Sequence, residues 1–350
     1  MSSNFADVIS PAPRDVWEDV LAHDSHALIS QTPAWLDTIC ATENYRDASR
    51  LYRTADGRQM VLPLVQQTQR PTSLAVSASF PVGWGMGGLV ASGELRTEDV
   101  AAMFADLDQN TGLRVGIRPN PLQGDLWASA APRGIVRIPR VAHVLDLEGG
   151  FETVWERRFR GTKRTAVRKA EKSNLEVACD TTGKLVPVLY DLWEQSIVRW
   201  AQQQHEPVWL ARLRGHQRDP IRKFHLMAQN LGTACKIWVA WLQGEPVAAI
   251  LVLQGKNAHY TRGAMNQELA GPLRANDLLH RHAIEDACQA GCRYYHMGET
   301  GQSSSLSQFK EHFGAQPHDY AEYRLERLPI TSADKRLRGF VKRVIGFRDA

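Results

Sequence analysis

Apolar and polar positions along the 350-residue chain repeat with helical period in some stretches and alternate in others, and each change marks an element. Val100, Met103, Phe104 and Leu107 recur at i, i+3, i+4 and i+7, which predicts a helix; Thr97 stands at its cap, with Glu98 and Asp99 in its first turn. Residues 113–118 alternate as a strand that stops at Pro119 and Pro121, and residues 141–147 form another before Gly149-Gly150. Residues 151–172 read as two helical segments broken near Gly161, and residues 175–179 alternate again. A longer helix at 185–200 places Val188, Leu189, Leu192, Trp193 and Trp200 on one face. Its Pro187 sits in the first turn, where no N–H is needed. Basic helical sequence fills 209–231.

A meander of three strands follows, at 235–242, 247–253 and 258–264, joined by Gln243-Gly244-Glu245-Pro246 and Gly255-Lys256-Asn257. Then come a helix capped by Asn276 and ended by Gly291, a strand at 293–297, and a short helix stopping at Gly314. Ser305-x-x-Gln308 reads as the capping box of that short helix. A last strand at 320–328 puts Ala321, Tyr323 and Leu325 on one face. This order is mixed α/β, neither strict βαβ repetition nor all-antiparallel.

Composition changes this picture little. Hydrophobic residues make up 43% and charged residues 23%, as in ordinary globular domains, and the length suits about two domains. The longest apolar run, 247–253, is far short of the ~20 residues a membrane-spanning helix needs. The N-terminal residues lack the pattern of a secretory signal. Five scattered cysteines without a CxxC pair argue against a disulfide framework or zinc ribbon, so a cytoplasmic location is expected.

Charge changes it more. Residues 1–140 carry 12 basic and 15 acidic side chains; residues 141–350 carry 30 and 23 and hold all ten lysines. The densest stretch runs from Arg157 to Lys172 and carries eight basic residues against Glu171. A solvated helix face normally mixes signs to gain i,i+4 pairs, so this one suggests contact with phosphate. Phe151, Trp155 and Phe159 fall at helical spacing beside it and read as core anchors.

Three local sequences give the order of elements a family. Residues 159–172, Phe-Arg-Gly-Thr-Lys-Arg-Thr-Ala-Val-Arg-Lys-Ala-Glu-Lys, resemble the basic helix of FemABX-type aminoacyltransferases within the GNAT superfamily. Tyr260-Thr261-Arg262-Gly263-Ala264 with Asn276-Asp277-Leu278-Leu279, and Ser307-Gln308-Phe309-Lys310-Glu311-His312-Phe313-Gly314, resemble two further segments of that family. The likeness covers about 141–328; the first part resembles the family only through Gly83 to Gly88 and Arg118-Pro119-Asn120-Pro121. It implies a mixed α/β fold of tandem GNAT-like subdomains, each a mixed sheet flanked by helices. The first would span 1–140 and the second 141–328, followed by a basic amphipathic tail at 329–350. No heptad run of the length of a coiled-coil arm is present, so the chain resembles the compact members.

The resemblance places Phe309 and Lys310 where the tetrahedral intermediate forms. Aminolysis of an ester builds negative charge on the former carbonyl oxygen, which a fixed cation in a dry cleft stabilises. Without the likeness, Lys310 would read as a surface lysine beside a core phenylalanine. Lys163, Arg164, Arg168 and Lys169, with Arg262 on the third meander strand, are the candidate tRNA or phosphate contacts. Arg262 reads equally as an ordinary sheet-surface arginine. Glu299 and Asp277, with His296 after them, are candidate bases for the attacking amine by residue type. His280 and His282 read as surface histidines, and Cys288 and Cys292 as core thiols; no metal set is complete.

Gly83-Trp84-Gly85-Met86-Gly87-Gly88 lacks the Lys-Ser/Thr of a P-loop and reads as a turn that allows close backbone approach. The coenzyme A cradle of acetyltransferases on this fold would fall at Glu268-Leu269-Ala270-Gly271-Pro272-Leu273. There, glutamate repels phosphate and proline removes an amide. The expectation is therefore an aminoacyltransferase with no bound cofactor. Aminoacyl-tRNA would be its co-substrate, and its acceptor an amine on a small peptide-like molecule, such as a peptidoglycan precursor or an intermediate of a peptidyl antibiotic. Two alternatives stand beside it: an acyl-CoA-dependent N-acyltransferase and a non-catalytic tRNA-binding module. The amphipathic tail, with Leu337, Phe340, Val341, Val344 and Ile345 in one stripe, suits RNA, a membrane or the protein's own body. The oligomeric state is open.

Overall fold

The computed structural model describes residues 5–69, 71, 74–110, 112–301 and 303–345. The chain divides into two compact units, Met1–Ala142 with His318–Ser332 and His143–Pro317 with Ala333–Ala350.

In the first unit, β1 (Phe5–Ile9) is followed by helices α1 (Arg14–His23) and α2 (Pro33–Thr42). Strands β2 (Tyr45–Asp47), β3 (Arg50–Thr54), β4 (Gln59–Leu62), β5 (Val65–Gln67), β6 (Val76–Ser79) and β7 (Val90–Ala91) come next. The unit continues through α3 (Thr97–Asn110), β8 (Arg114–Ile117) and α4 (Gly124–Ala130) to β9 (Val136–Asp146). Strands β1, β3, β4 and β7 form an antiparallel sheet in that order. A second, mixed group pairs β2 with β5, β5 with β6, β6 in parallel with β8, and β8 with the late strand Gln316–Glu326. Phe104, Trp127 and Tyr323 meet at centroid distances of 5.7 to 5.9 Å in the core. The strand expected to close the second unit therefore pairs in the first, with Tyr323 opposite Ile117. A chain that returns so late leaves no local sign of which sheet it rejoins. The glycine-rich segment is a turn of close approach, because a Cβ on Gly87 would collide with Ser79.

The second unit opens with α5 (Gly150–Thr153), a π-helical turn at Val154–Arg158 and α6 (Gly161–Glu171). It continues with β10 (Leu175–Asp180), α7 (Val186–Gln203), α8 (Val208–Arg218) and α9 (Ile221–Leu231). The meander is β11 (Cys235–Leu242), β12 (Glu245–Gln254) and β13 (Ala258–Met265), then α10 (Gln267–Leu273) and α11 (Ala275–Gln289). Last come β14 (Tyr294–Glu299) and α12 (Ser304–Glu311); the late strand Gln316–Glu326, β15, is the one that pairs in the first unit, and α13 (Ile330–Ile345) follows it. The sheet order is β10-β11-β12-β13-β14, antiparallel through β13 and parallel from β13 to β14. Val247 to Leu253 are all essentially buried, as a central strand covered on both faces requires.

Three local expectations shift. Asn276 lies inside the first turn of α11, and Arg274, in the left-handed region at φ 59°, precedes the helix. Ser303, not Ser305, caps α12 by accepting from Leu306 N at 3.4 Å. The basic sequence at 209–231 is two helices, because Pro220 after Asp219 cannot continue the first.

Candidate active site

Strands β13 and β14 pair at Ala258 with Tyr295 and at His259 with His296. Between Tyr260 and Arg262, β13 bulges against β12. Gly298, at φ 74°, bends the end of β14. A bulge re-aims side chains and ends pairing, so backbone carbonyls become available for another partner. That partner is Lys310.

The α12 helix brings Lys310 there. Its side chain is 2% exposed, and its Nζ donates to Gly298 O and Glu299 O, each at 2.8 Å. Burial pulls the ammonium down to about 7, although Glu299 pulls the other way. The turn after the helix closes at Gly314, φ 86°, where a Cβ would sit 2.6 Å from Arg158 O; only glycine permits this close turn. His312 O accepts from Arg160 N at 2.9 Å, which ties the end of α12 to the start of α6.

Beside Lys310 lies an aromatic cluster. The Phe309 and Phe313 rings are 5.3 Å apart, and Phe159 meets Phe313 edge-on at 5.0 Å. Buried His280 packs 5.5 Å from Phe309, 5.4 Å from Phe313 and 4.6 Å from Tyr260, and its Nδ1 shares a 3.3 Å hydrogen bond with Tyr295 Oη. Burial holds His280 neutral down to about pH 3 and lifts Tyr260 to about 12. The surface position expected for His280 is thus corrected: its helix face turns into the sheet. His282 stacks on Trp238.

Lys163 is another buried cation. Its Nζ lies 4.2 Å from the Phe309 ring centre and 4.3 Å from that of Phe313, and it is paired with Asp277 Oδ1. Burial lowers the Lys163 ammonium from the ordinary lysine range, against the restoring effect of Asp277. Asp277, 4% exposed, is committed to this pair.

The candidate phosphate contacts therefore separate. Lys163 faces inward, and Arg164 Nη1 donates to Trp155 O, Glu156 O and Phe159 O at 2.6 to 3.2 Å. Arg168 and Lys169 are exposed, Arg168 lying 5.9 Å from the Trp155 ring centre; Arg157, Arg160 and Lys172 are exposed as well. Arg262 donates to Asp219 through Nε and Nη2, and Asp219, fully buried, also pairs with Lys223 and Arg218. Burial raises the Asp219 carboxyl, but Arg262, Lys223 and Arg218 together hold it well below the usual range.

Sequence reasoning passed over His259. It is 5% exposed, its Nδ1 has no hydrogen-bond partner among the described residues, and burial keeps it neutral down to about pH 4, with Arg262 and Lys310 adding to the effect. The strand pattern marked the position only as one of alternating faces. One turn before Lys310 on α12, Ser307 donates to Glu311 Oε1 at 2.6 Å and lies 3.2 Å from His143 Nε2. Among the described residues, no group of three His, Cys, Asp or Glu side chains could hold a metal ion.

Residues 157–311, which include Lys163, Asp277, His280 and Lys310, match the acetyltransferase (GNAT) domain family. The fold is a GNAT acyltransferase fold. The crystal structure of FemX superposes with a TM-score of 0.65 at 12% identity, over 91% of this chain and 97% of that one. A conserved protein of unknown function from Bacteroides thetaiotaomicron follows, with a TM-score of 0.54 at 11% identity, over 89% and 97%. The C-terminal domain (DUF2156) of a protein named as a lysylphosphatidylglycerol synthetase, from Agrobacterium fabrum, gives 0.50 at 13% identity, over 93% and 96%. No curated protein sequence matches. The GNAT domain and the likeness to FemX bear out the FemABX-type, mixed α/β fold expected from the sequence. No helix among the described residues is long and apolar enough to cross a membrane.

Proposed function

We propose that this chain is an aminoacyltransferase that takes the aminoacyl group of an aminoacyl-tRNA and forms an amide on an amine of a peptide-like acceptor. The observation that carries the reading is Lys310, a buried cation with two carbonyl anchors at the C-terminal end of β14. The acceptor nitrogen attacks the ester carbonyl, a C–N bond forms, and the carbonyl oxygen becomes an oxyanion. The ester C–O bond then breaks and the ribose oxygen leaves with a proton. A fixed ammonium in a water-poor site stabilises the oxyanion. An ammonium titrating near 7 can also give a proton to the leaving oxygen. Phe309 supplies apolar cover next to it. Glu299 is the base candidate that stands beside Lys310, whereas Asp277 is held by Lys163.

Arg157, Arg160, Arg168, Lys169 and Lys172 remain turned to solvent and suit the phosphates of an RNA acceptor stem. The acetyltransferase family match favours a second reading, with acyl-CoA as donor. Against it, the segment expected to cradle pyrophosphate is helical. Asn266 Oδ1 accepts from Glu268 N at 3.1 Å and Leu269 N at 3.3 Å, so these amides are already engaged, and Glu268 adds negative charge.

The test is transfer of radiolabel from a pool of charged tRNAs to an amine-bearing peptide, beside labelled acetyl-CoA, with Lys310→Ala as control. Label leaving tRNA only with active enzyme and acceptor supports the proposal. Label moving only from acetyl-CoA overturns it in favour of the second reading.

A further inference from the structure

We propose that α13 is an interfacial helix that seats Leu337 and Phe340 in the surface of an anionic lipid bilayer. The helix spans 16 residues, Ile330–Ile345. Its first turn is tied down: Thr331, 3% exposed, donates from N to Glu326 Oε2 at 3.1 Å and accepts from Arg324 Nη1 at 2.8 Å. Beyond that turn Leu337 and Phe340 lie open. Leu337 is 62% exposed and Phe340 63%, and a Cβ placed on Gly339 between them would meet nothing within 4 Å.

The sequence of the helix carries Lys335, Arg336, Arg338, Lys342 and Arg343 against one acid, Asp334, and Asp334 is already paired with Arg338 at 2.9 Å. At 100° per residue, the positions of Leu337, Phe340, Val341 and Val344 share a stripe flanked by those of the cations.

The charges select the occupant. An RNA partner would use the cations and leave Leu337 and Phe340 in water. A groove on another protein would use the stripe but has no need of five cations. The surface of an anionic membrane uses both, with the apolar face sunk at the headgroup level and the long basic side chains reaching the phosphates. This proposal is independent of the donor in the transfer reaction, since neither Leu337 nor Phe340 belongs to the site around Lys310.

The experiment is co-sedimentation of the full chain with sucrose-loaded vesicles of phosphatidylcholine alone or mixed with phosphatidylglycerol. Binding is expected to the mixed vesicles, weakening with salt, and to fall about fivefold for each of Arg336→Gln and Arg338→Gln. Leu337→Asp with Phe340→Asp is expected to abolish it while the melting temperature holds. Gly339→Pro, which breaks the helix without adding charge, should do the same. Equal binding to both vesicle types, no binding, or undiminished binding by the aspartate variant would overturn the proposal. So would loss of tRNA retention in place of vesicle binding, which would assign the helix to RNA, or a shift in oligomeric state, which would assign the stripe to a second copy.

Discussion

Replacing Lys310 by methionine separates what this residue does for chemistry from what it costs the fold. An ammonium that titrates at about 7 instead of its ordinary 10.5 is disfavoured in the folded protein by roughly 5 kcal/mol. The unfolded chain binds the proton that the folded chain gives up, so wild-type stability rises with pH between about 7 and 10.5. At pH 7 this opposes folding by about 4 kcal/mol, and at pH 9 by about 2 kcal/mol. Lys310→Met removes that opposition. It also removes two hydrogen bonds, to Gly298 O and Glu299 O, at about 1 to 1.5 kcal/mol each. The variant should therefore be as stable as the wild type or slightly more stable at pH 7. It should lose about 2 kcal/mol relative to wild type on going to pH 9, a difference in which the lost hydrogen bonds cancel. Urea unfolding of both proteins at the two pH values measures it. Transfer activity should drop about 100- to 1,000-fold, the range for loss of one oxyanion-stabilising group. Parallel stability curves at both pH values would refute the buried-cation argument, and retained turnover would remove Lys310 from the reaction.

The pair Lys163–Asp277 should behave in the opposite way: Lys163→Met or Asp277→Leu alone strands a buried charge and should cost about 3 to 5 kcal/mol in chemical denaturation, most of it recovered in the double variant. Asp219→Asn should destabilise by about 3 kcal/mol at pH 7, because Lys223 and Arg262 lose their counter-charge. Its folded carboxyl titrates below the ordinary range, so that stability is present above pH ~4 and disappears as pH falls through the folded value; acid titration of wild type and variant should converge only there. Exchanging Arg168, Lys169 and Lys172 for glutamine should leave the melting temperature unchanged and reduce the salt dependence of tRNA binding, its log–log slope dropping by about 2 to 3. Filter binding across a salt series reads this directly, and an unaltered slope would remove the exposed face of α6 from the RNA site.

Much of the second unit is legible in the sequence because its elements are defined by neighbours within one or two turns. The meander carries its turns in Gly244 and Gly255, and its central strand is a continuous apolar run. The turn after the short helix with Phe309 and Lys310 closes at a glycine whose Cβ would strike Arg158 O. At Gly83 to Gly88 the lysine of a phosphate loop is missing, and the packing of Gly87 against Ser79 shows what those glycines allow instead. Caps are less legible: Asn276 and Ser305 are good capping residues by type, but the choice among neighbouring candidates depends on where the chain enters the helix.

What the sequence determined by itself was the alternation of elements, the family segments and the charge excess between Arg157 and Lys172. Only the tertiary structure decided which of those charges face water. Lys163 meets its carboxylate 114 residues away, and Arg262 meets Asp219 43 residues away. Along α6, buried Lys163 and exposed Lys169 look alike in sequence, because what packs on each position comes from a distant part of the chain. Yet burial alone turns a lysine such as Lys310 from an ordinary surface cation into one that titrates near neutrality.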